Sequence, residues 1–288
     1  MKNNKVSFLF AAPAFVIYTA LLVIPILMAF GISFFQWNGF NEMTFVGADN
    51  YINLFHDVRL GNSVINTLII AGTVIVAVNV LGLGLAMLVN KASKVNNFFR
   101  TIFFIPFVLS SVALSFVWKS ILSYNGVLNG ILEVLGLGDA AGNWLGNKGT
   151  AIVCVIIVEI WRTLGYHMML YLAALQSVPN DLYEACTVDG GNAWDKFKNV
   201  TLPLIVPGMS VSILMSIINE LRIYDVVKIM TDGGPGYDTE TIVYNIVSQG
   251  FTSNIIGYSS AIAVVLFVVI GAISVFVVQQ TNKREVKM

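Results

Sequence analysis

The segment from Glu184 to Pro203 holds the residues best suited to act on something outside this chain. Ser177-Val178-Pro179-Asn180 breaks a helix, and Asn180 or Asp181 is placed to cap a new, short one through Leu182, Tyr183, Glu184, Ala185 and Cys186. Asp189, Gly190 and Gly191 follow, the glycines permitting a sharp change of direction. Trp194 and Phe197 then offer apolar anchors before Leu202 and Pro203 lead into the next apolar run. A helix, a turn and a second helix, with Glu184 set among small apolar side chains, form a projection that suits a groove in another protein. Its chemistry is contact rather than bond making.

A second group consists of ionisable and amphipathic residues inside apolar runs: Glu159, Trp161, Arg162 and Tyr166 in one, Asn219, Glu220, Arg222 and Tyr224 in the next. Charges at membrane depth are costly and face water, a pathway or one another. Glu159 and Arg162 lie three apart on one helical face, so mutual neutralisation competes with lining a path. Glu220 and Arg222 fall on different faces, and each needs its own partner. Trp161, Tyr166, Asn219 and Tyr224 combine ring faces with polar groups, as recognition of sugar C–H surfaces and hydroxyls demands. Aromatic residues in such runs also serve as packing or interfacial anchors.

Catalysis finds no support. His56 and His167 are isolated, with no spaced partners for a metal, and no Ser-His-Asp set or carboxylate pair can be assembled. No G-x-x-x-x-G-K-[ST] phosphate loop exists, and the glycine-rich stretch 142–150 with Lys148 has the wrong order. The chain reads as non-enzymatic, with no cofactor or metal of its own.

The elements that must position these residues are membrane helices. Hydrophobic residues make up 57% of the chain and charged ones only 11%, and mean hydropathy is +0.79, too little polar surface for a soluble globule. A hydrocarbon core about 30 Å thick requires roughly 20 apolar residues per helix. Six such runs occur, near 8–34, 64–89, 98–122, 151–175, 204–224 and 258–278. They are continuous rather than alternating, which predicts an all-α polytopic protein instead of a barrel. The first run follows Lys2 and Lys5 but is too long for a signal h-region and contains Pro13 and Pro25, so it reads as a retained helix.

Lys2, Lys5, Lys91, Lys94, Arg100, Lys196, Lys198, Lys283, Arg284 and Lys287 fall on one side of these spans, against Arg59, Lys148 and Lys228 on the other. The positive-inside rule then puts both termini and the Glu184 segment in the cytoplasm. A formal net charge of zero conceals this sidedness, and no basic patch suggests nucleic-acid binding. Cys154 and Cys186 read as small packing residues.

No linker or repeat divides the sequence, so 1–288 is expected to be one domain, with 61–280 as its core and 178–203 as its cytoplasmic loop. Pro13, Pro25, Pro106 and Pro207 are expected to interrupt helical hydrogen bonding, and Gly82 and Gly84 to allow close backbone approach. In the last external loop, 231–236 is a concentrated turn signal. Beyond it Ile242, Val243, Ile246 and Val247 predict a short amphipathic helix capped by Thr239.

The chain resembles the membrane permeases of ATP-binding-cassette importers. Their signature, E-A-A-x-x-x-G and then I-x-L-P, is matched at Glu184, Ala185, Gly190, Leu202 and Pro203, with Cys186 for the second alanine and Val200 for the isoleucine. Segments 45–51, 143–146, 172–179 and 230–235 look typical of the sugar-transporting branch, so the likeness covers nearly the whole chain. Residues 230–241 look most like the subunit that pairs with a second, different permease.

The resemblance implies the type I importer fold in a bacterial cell membrane. It implies a second permease subunit, two cytoplasmic ATPase domains that bind ATP and Mg, and an extracytoplasmic binding protein delivering a mono- or oligosaccharide. It also implies that Tyr183, Glu184, Ala185 and Cys186 insert into a cleft of the ATPase, with Gly190 as the turn. Glycerol phosphate is the alternative cargo. A stand-alone secondary transporter is the alternative class, but it leaves the Glu184 segment unexplained.

Overall fold

A computed structural model describes residues 4–282, with side chains from 10 to 281. Lys2, Lys283, Arg284 and Lys287 lie outside the described residues, as does the Lys5 side chain. Among the described residues five helices are long and apolar enough to cross a membrane, and one bent pair brings the number to six. All six expected runs are therefore helical.

The third is not the continuous helix expected over 98–122. Lys94–Val108 and Ser111–Val134 meet at 95°. Pro106 leaves the Ile102 carbonyl without its helical donor, and directly after Val108 the backbone leaves the helical region at Leu109 and Ser110. The Ser110 hydroxyl then accepts the Ala113 N–H at 3.4 Å and starts a new helix. Pro13 stays inside helix Asn4–Tyr18 without breaking it. A π-helical turn over Thr19–Val23 directly precedes Pro25, where it accommodates the crowding of that ring against the carbonyl four residues back. Pro207 stands in the first turn of Val206–Glu220, where its missing N–H costs nothing.

The described chain packs as two compact units. The first joins residues up to Leu60 with Asn245–Val268. In it Phe35–Gln36 pairs antiparallel with Thr44–Phe45, Phe35 opposite Phe45. Asn50 Nδ2 donates to the carbonyls of Ser33 and Phe35 at 2.8 and 3.0 Å. Tyr258 donates its hydroxyl to Asp57 at 2.6 Å.

The second unit, Gly61–Tyr244 with residues from Val269 onward, holds both residue groups singled out above. Its core has two apolar clusters, one around Val74, Val78, Val155, Val158 and Met230 and one around Ala86, Met168, Leu172, Leu175 and Ile205. Along the helices a buried polar layer falls where the first gives way to the second. Tyr171 and Ser212 both donate to Asn79 Oδ1, at 2.9 and 2.8 Å, while Asn79 Nδ2 donates to the Ile75 carbonyl and to Ser216. Because the Ser212 proton is committed to Asn79, the His167 ring, 2.8 Å away, must donate from Nδ1. His167 is therefore a cross-helix link between Lys148–Gln176 and Val206–Glu220.

Gly82 makes the expected close approach, since a Cβ there would sit 3.2 Å from His167 Cβ, whereas Gly84 faces open space. The tighter contact was not anticipated: Gly165 lies against the Phe103 carbonyl with no room for a Cβ.

The turn at 231–236 forms as expected, but Thr239 does not cap the next helix. Its hydroxyl bonds Thr231 and the Gly234 carbonyl, both at 2.8 Å. Helix Ile242–Val247 starts instead from Thr241, which accepts the Tyr244 N–H, and from Thr67, which accepts the Ile242 N–H. Its buried residue in this unit is Tyr244, whereas Ile242 and Val243 are only half-buried. The polar segment is fixed because Asn66 donates to the carbonyls of Asp238 and Glu240 at 2.9 and 3.0 Å. Tyr244 donates to the Asp232 carboxylate at 3.0 Å, and burial followed by that charge pushes its phenol up to about 12, so it stays a donor at neutral pH.

Candidate functional site

Helix Asn180–Val188 forms where the sequence places it. Its cap position is Pro179 and no side chain caps it, so neither Asn180 nor Asp181 has the capping role expected; Asp181 lies in the first turn, where its charge favours the helix N-terminus. The other end is closed by backbone alone. Gly190 takes φ +82°, its N–H bonds the Thr187 carbonyl at 3.0 Å, and the Gly191 N–H bonds the Cys186 carbonyl at 2.8 Å. This pair of bonds is the Schellman closure, which needs a left-handed residue where Gly190 stands. Asn192 and Asp195 then cap each other's backbone to start Ala193–Asp195, and the chain winds on through a π-helical turn to Leu202 and Pro203.

Helical spacing sorts this segment into two faces. Tyr183 and Cys186, expected to offer contact area outward, turn inward onto the cluster of Val178 and Val200. The Tyr183 hydroxyl meets Thr201 at 3.0 Å, and Thr201 donates onward to the Lys196 carbonyl, so Tyr183 is the donor. Glu184, Ala185 and Asp189 remain exposed, together with Leu182 and with Val188 at 87%. Trp194 is 65% exposed and leans on half-buried Phe197 with ring centres 5.6 Å apart, so only Phe197 anchors the segment. Leu202 and Pro203 are half-buried.

The intramembrane group converges on a cavity of about 390 Å³. Glu159, Arg162, Asn219, Arg222 and Tyr224 all line it. Arg162 grips Glu159 through two parallel hydrogen bonds, Nε to Oε2 at 3.1 Å and a second from the terminal nitrogen to Oε1. Mutual neutralisation and cavity lining are therefore one arrangement, with Glu159 2% exposed and Arg162 presenting more of its head. Glu220 does not line the cavity. It is buried to 1% exposure, and neither carboxylate oxygen has a hydrogen-bond partner. Helix Val206–Glu220 ends at this residue, so Arg222 leaves in the turn that follows and is exposed.

Trp161 is 40% exposed and packs edge-on against Trp118, away from the cavity lining. Tyr166 acts behind the wall, stacked at 4.4 Å on Phe107, which lines the cavity. Sequence reasoning missed Phe107, Ser111, Thr163 and Asp225 in that lining. Thr163 was detectable, being one helical turn beyond Glu159. Phe107 and Ser111 arrive only because the third span breaks between them.

Residues 78–287 match the family described as binding-protein-dependent transport system inner membrane component. The chain is 37% identical over 287 residues to the probable starch degradation products transport system permease protein AmyD of Thermoanaerobacterium thermosulfurigenes, covering 100% of this chain and 97% of the relative. It is 30% identical to the trehalose/maltose transport system permease protein MalF of Thermococcus litoralis, across 93% and 91% of the two chains. Among solved structures, a bacterial ABC transporter involved in the import of the acidic polysaccharide alginate superposes with a TM-score of 0.84 at 23% identity, over 97% of this chain and 96% of the other. This multi-pass helical chain belongs to the inner membrane components of binding-protein-dependent transport systems.

Proposed function

We propose that this chain is one of two permease subunits that enclose the path of a neutral mono- or oligosaccharide through a bacterial plasma membrane. An extracytoplasmic binding protein delivers the sugar, and two separate ABC ATPase domains, which bind ATP and Mg, drive alternating access. The second permease is a different chain, consistent with the 230–241 segment. The carrying observation is the 390 Å³ cavity, where an amide, a phenol and a paired cation gather inside an apolar chain. Asn219 and Tyr224 supply the donor and acceptor groups that hydroxyls need, and Phe107 an aromatic face. With Arg162 bound to Glu159, Arg222 is the one lining arginine without such a pairing, which argues against a phosphorylated cargo. The names of AmyD and MalF support a saccharide.

In this reading the termini and the Asn180–Val188 helix face the cytoplasm. Glu184 meets a basic residue of the ATPase, and Leu182, Ala185 and Val188 supply the apolar contact, while Tyr183 and Cys186 hold the helix to its own bundle. ATPase closure moves this rigid projection and, through it, the spans. Proteoliposomes with both permeases and the ATPase test the proposal. Labelled maltose, lactose or raffinose accumulates only with ATP and binding protein, and Glu184→Ala lowers uptake while ATP hydrolysis continues. Uptake driven by an ion gradient without ATP, or accumulation of glycerol phosphate in place of every sugar, overturns it.

A further inference from the structure

The unit formed by residues up to Leu60 with Asn245–Val268 contains an open cavity of about 510 Å³, well within the range of small-molecule sites, roughly 300–1,000 Å³. Gln36, Asp49, Asn50, Asn53, Gln249 and Tyr258 are on its wall. Gln249 is the informative member. It is only 9% exposed, and among the described residues its side-chain amide has no hydrogen-bond partner. An amide that lines an open cavity without a protein partner is free to hydrogen-bond water or a ligand. Gln249 belongs to the π-helical turn Ser248–Thr252, an irregularity that recurs at functional sites.

The neighbours define what could satisfy it. Asn50 spends both amide hydrogens on the Ser33 and Phe35 carbonyls, which leaves its own oxygen as an acceptor. Asp57 is committed, one oxygen to the Leu60 N–H at 3.1 Å and the other to Tyr258 at 2.6 Å. The wall contains no Lys or Arg, so an anionic ligand has no counter-charge. Among the described residues no three His, Cys, Asp or Glu side chains gather to hold a metal. Primary amides present donors and acceptors side by side, the match for a hydroxyl, which is both.

We propose that this cavity is a saccharide-binding subsite in which Gln36, Asn53 and Gln249 hydrogen-bond sugar hydroxyls. Its two segments come from loops that charge asymmetry assigns to the extracytoplasmic side, so it holds a sugar before passage. The inference rests on the reading of the chain as a saccharide permease, but it concerns a site no part of that reading uses.

The test uses the intact transporter complex in nanodiscs without binding protein, titrated with maltotriose, lactose and raffinose and read by saturation-transfer NMR. At least one saccharide binds saturably, and Gln249→Leu weakens it about tenfold, the loss of one hydrogen bond. The thermal midpoint of that variant is unchanged, since no hydrogen bond within the protein is lost. Asn53→Ala, at an exposed position, weakens binding as well. No saturable binding, or binding that both variants leave intact, overturns the subsite. So does protection of this wall by binding protein alone with no response to sugar. If ATP-driven sugar uptake persists in those cases, only the subsite falls; if binding is lost as expected but no sugar is transported, the functional reading falls instead.

Discussion

Replacing Arg162 by Met would expose how the 390 Å³ cavity is held together. Glu159 is 2% exposed and receives both of its hydrogen bonds from Arg162. Glu220 is 1% exposed and has no hydrogen-bond partner, so it is no part of that pair. Arg162→Met therefore strands the buried Glu159 carboxylate without its cation. Breaking a buried pair from one side costs about 3–5 kcal/mol. At roughly 2–4 °C per kcal/mol for a chain approaching this size, the midpoint of thermal unfolding falls by about 6–20 °C.

The double variant Glu159→Gln with Arg162→Met removes charge from both partners and recovers most of that loss, so the double-mutant cycle assigns the cost to the pair. Glu220→Gln alone leaves the midpoint unchanged or raises it. Intrinsic-fluorescence melts of the complex in nanodiscs provide the readout. A loss below about 1 kcal/mol for Arg162→Met, the worth of an exposed surface pair, would refute the reasoning.

Gly190→Ala puts a Cβ on a left-handed residue and costs the end of helix Asn180–Val188 about 1–2 kcal/mol, with Gly190→Asn milder. Hydrogen exchange of the Gly190 and Gly191 amides accelerates, and uptake falls relative to ATP hydrolysis. Gly165→Val drives a side chain into the Phe103 carbonyl, an overpacking loss of about 1–3 kcal/mol measured by thermal melts, whereas Gly84→Ala, facing open space, is neutral. Asn79→Leu strips the acceptor from Tyr171 and Ser212 and lowers stability by about 1–3 kcal/mol, with loss of the His167 Nδ1–H resonance as its NMR signature. The Lys228 ammonium, 2.6 Å away, holds the Asp232 carboxyl below its usual value. Asp232 thus stabilises the fold fully above about pH 4 and loses that contribution as pH falls through its lowered value. NMR titration should show that Lys228→Met raises it.

Span number and position were legible because burial in lipid demands a run of fixed length, and six runs have it. What one span does internally was less so. Pro106 announced a disturbance, but Pro13 did not break its helix and Pro106 preceded a 95° turn, because Ser110 could cap a new start. The Glu184 segment was readable in outline from Gly190 and Pro203. Which side chains face outward was not, since Tyr183 and Cys186 are paired with a cluster built from Val178 and Val200. Arg162 and Glu159 were readable as partners from their spacing, whereas Phe107 and Asp225 reach the same cavity only through tertiary packing. His167 looked isolated because its partner Ser212, which links it to Asn79 and through Asn79 to Tyr171, comes from a position 45 residues away.

The closure of helix Asn180–Val188 at Gly190 and Gly191 is written entirely in main-chain atoms. The outward residues Leu182, Glu184, Ala185 and Val188 take no part in it. Frame and surface are thereby separable: under the proposed coupling role, the outward side chains can be exchanged to suit a different ATPase cleft while the frame keeps its direction. On that proposal a lineage of such permeases trades motors by rewriting these four side chains, provided the glycine that turns the chain stays in place.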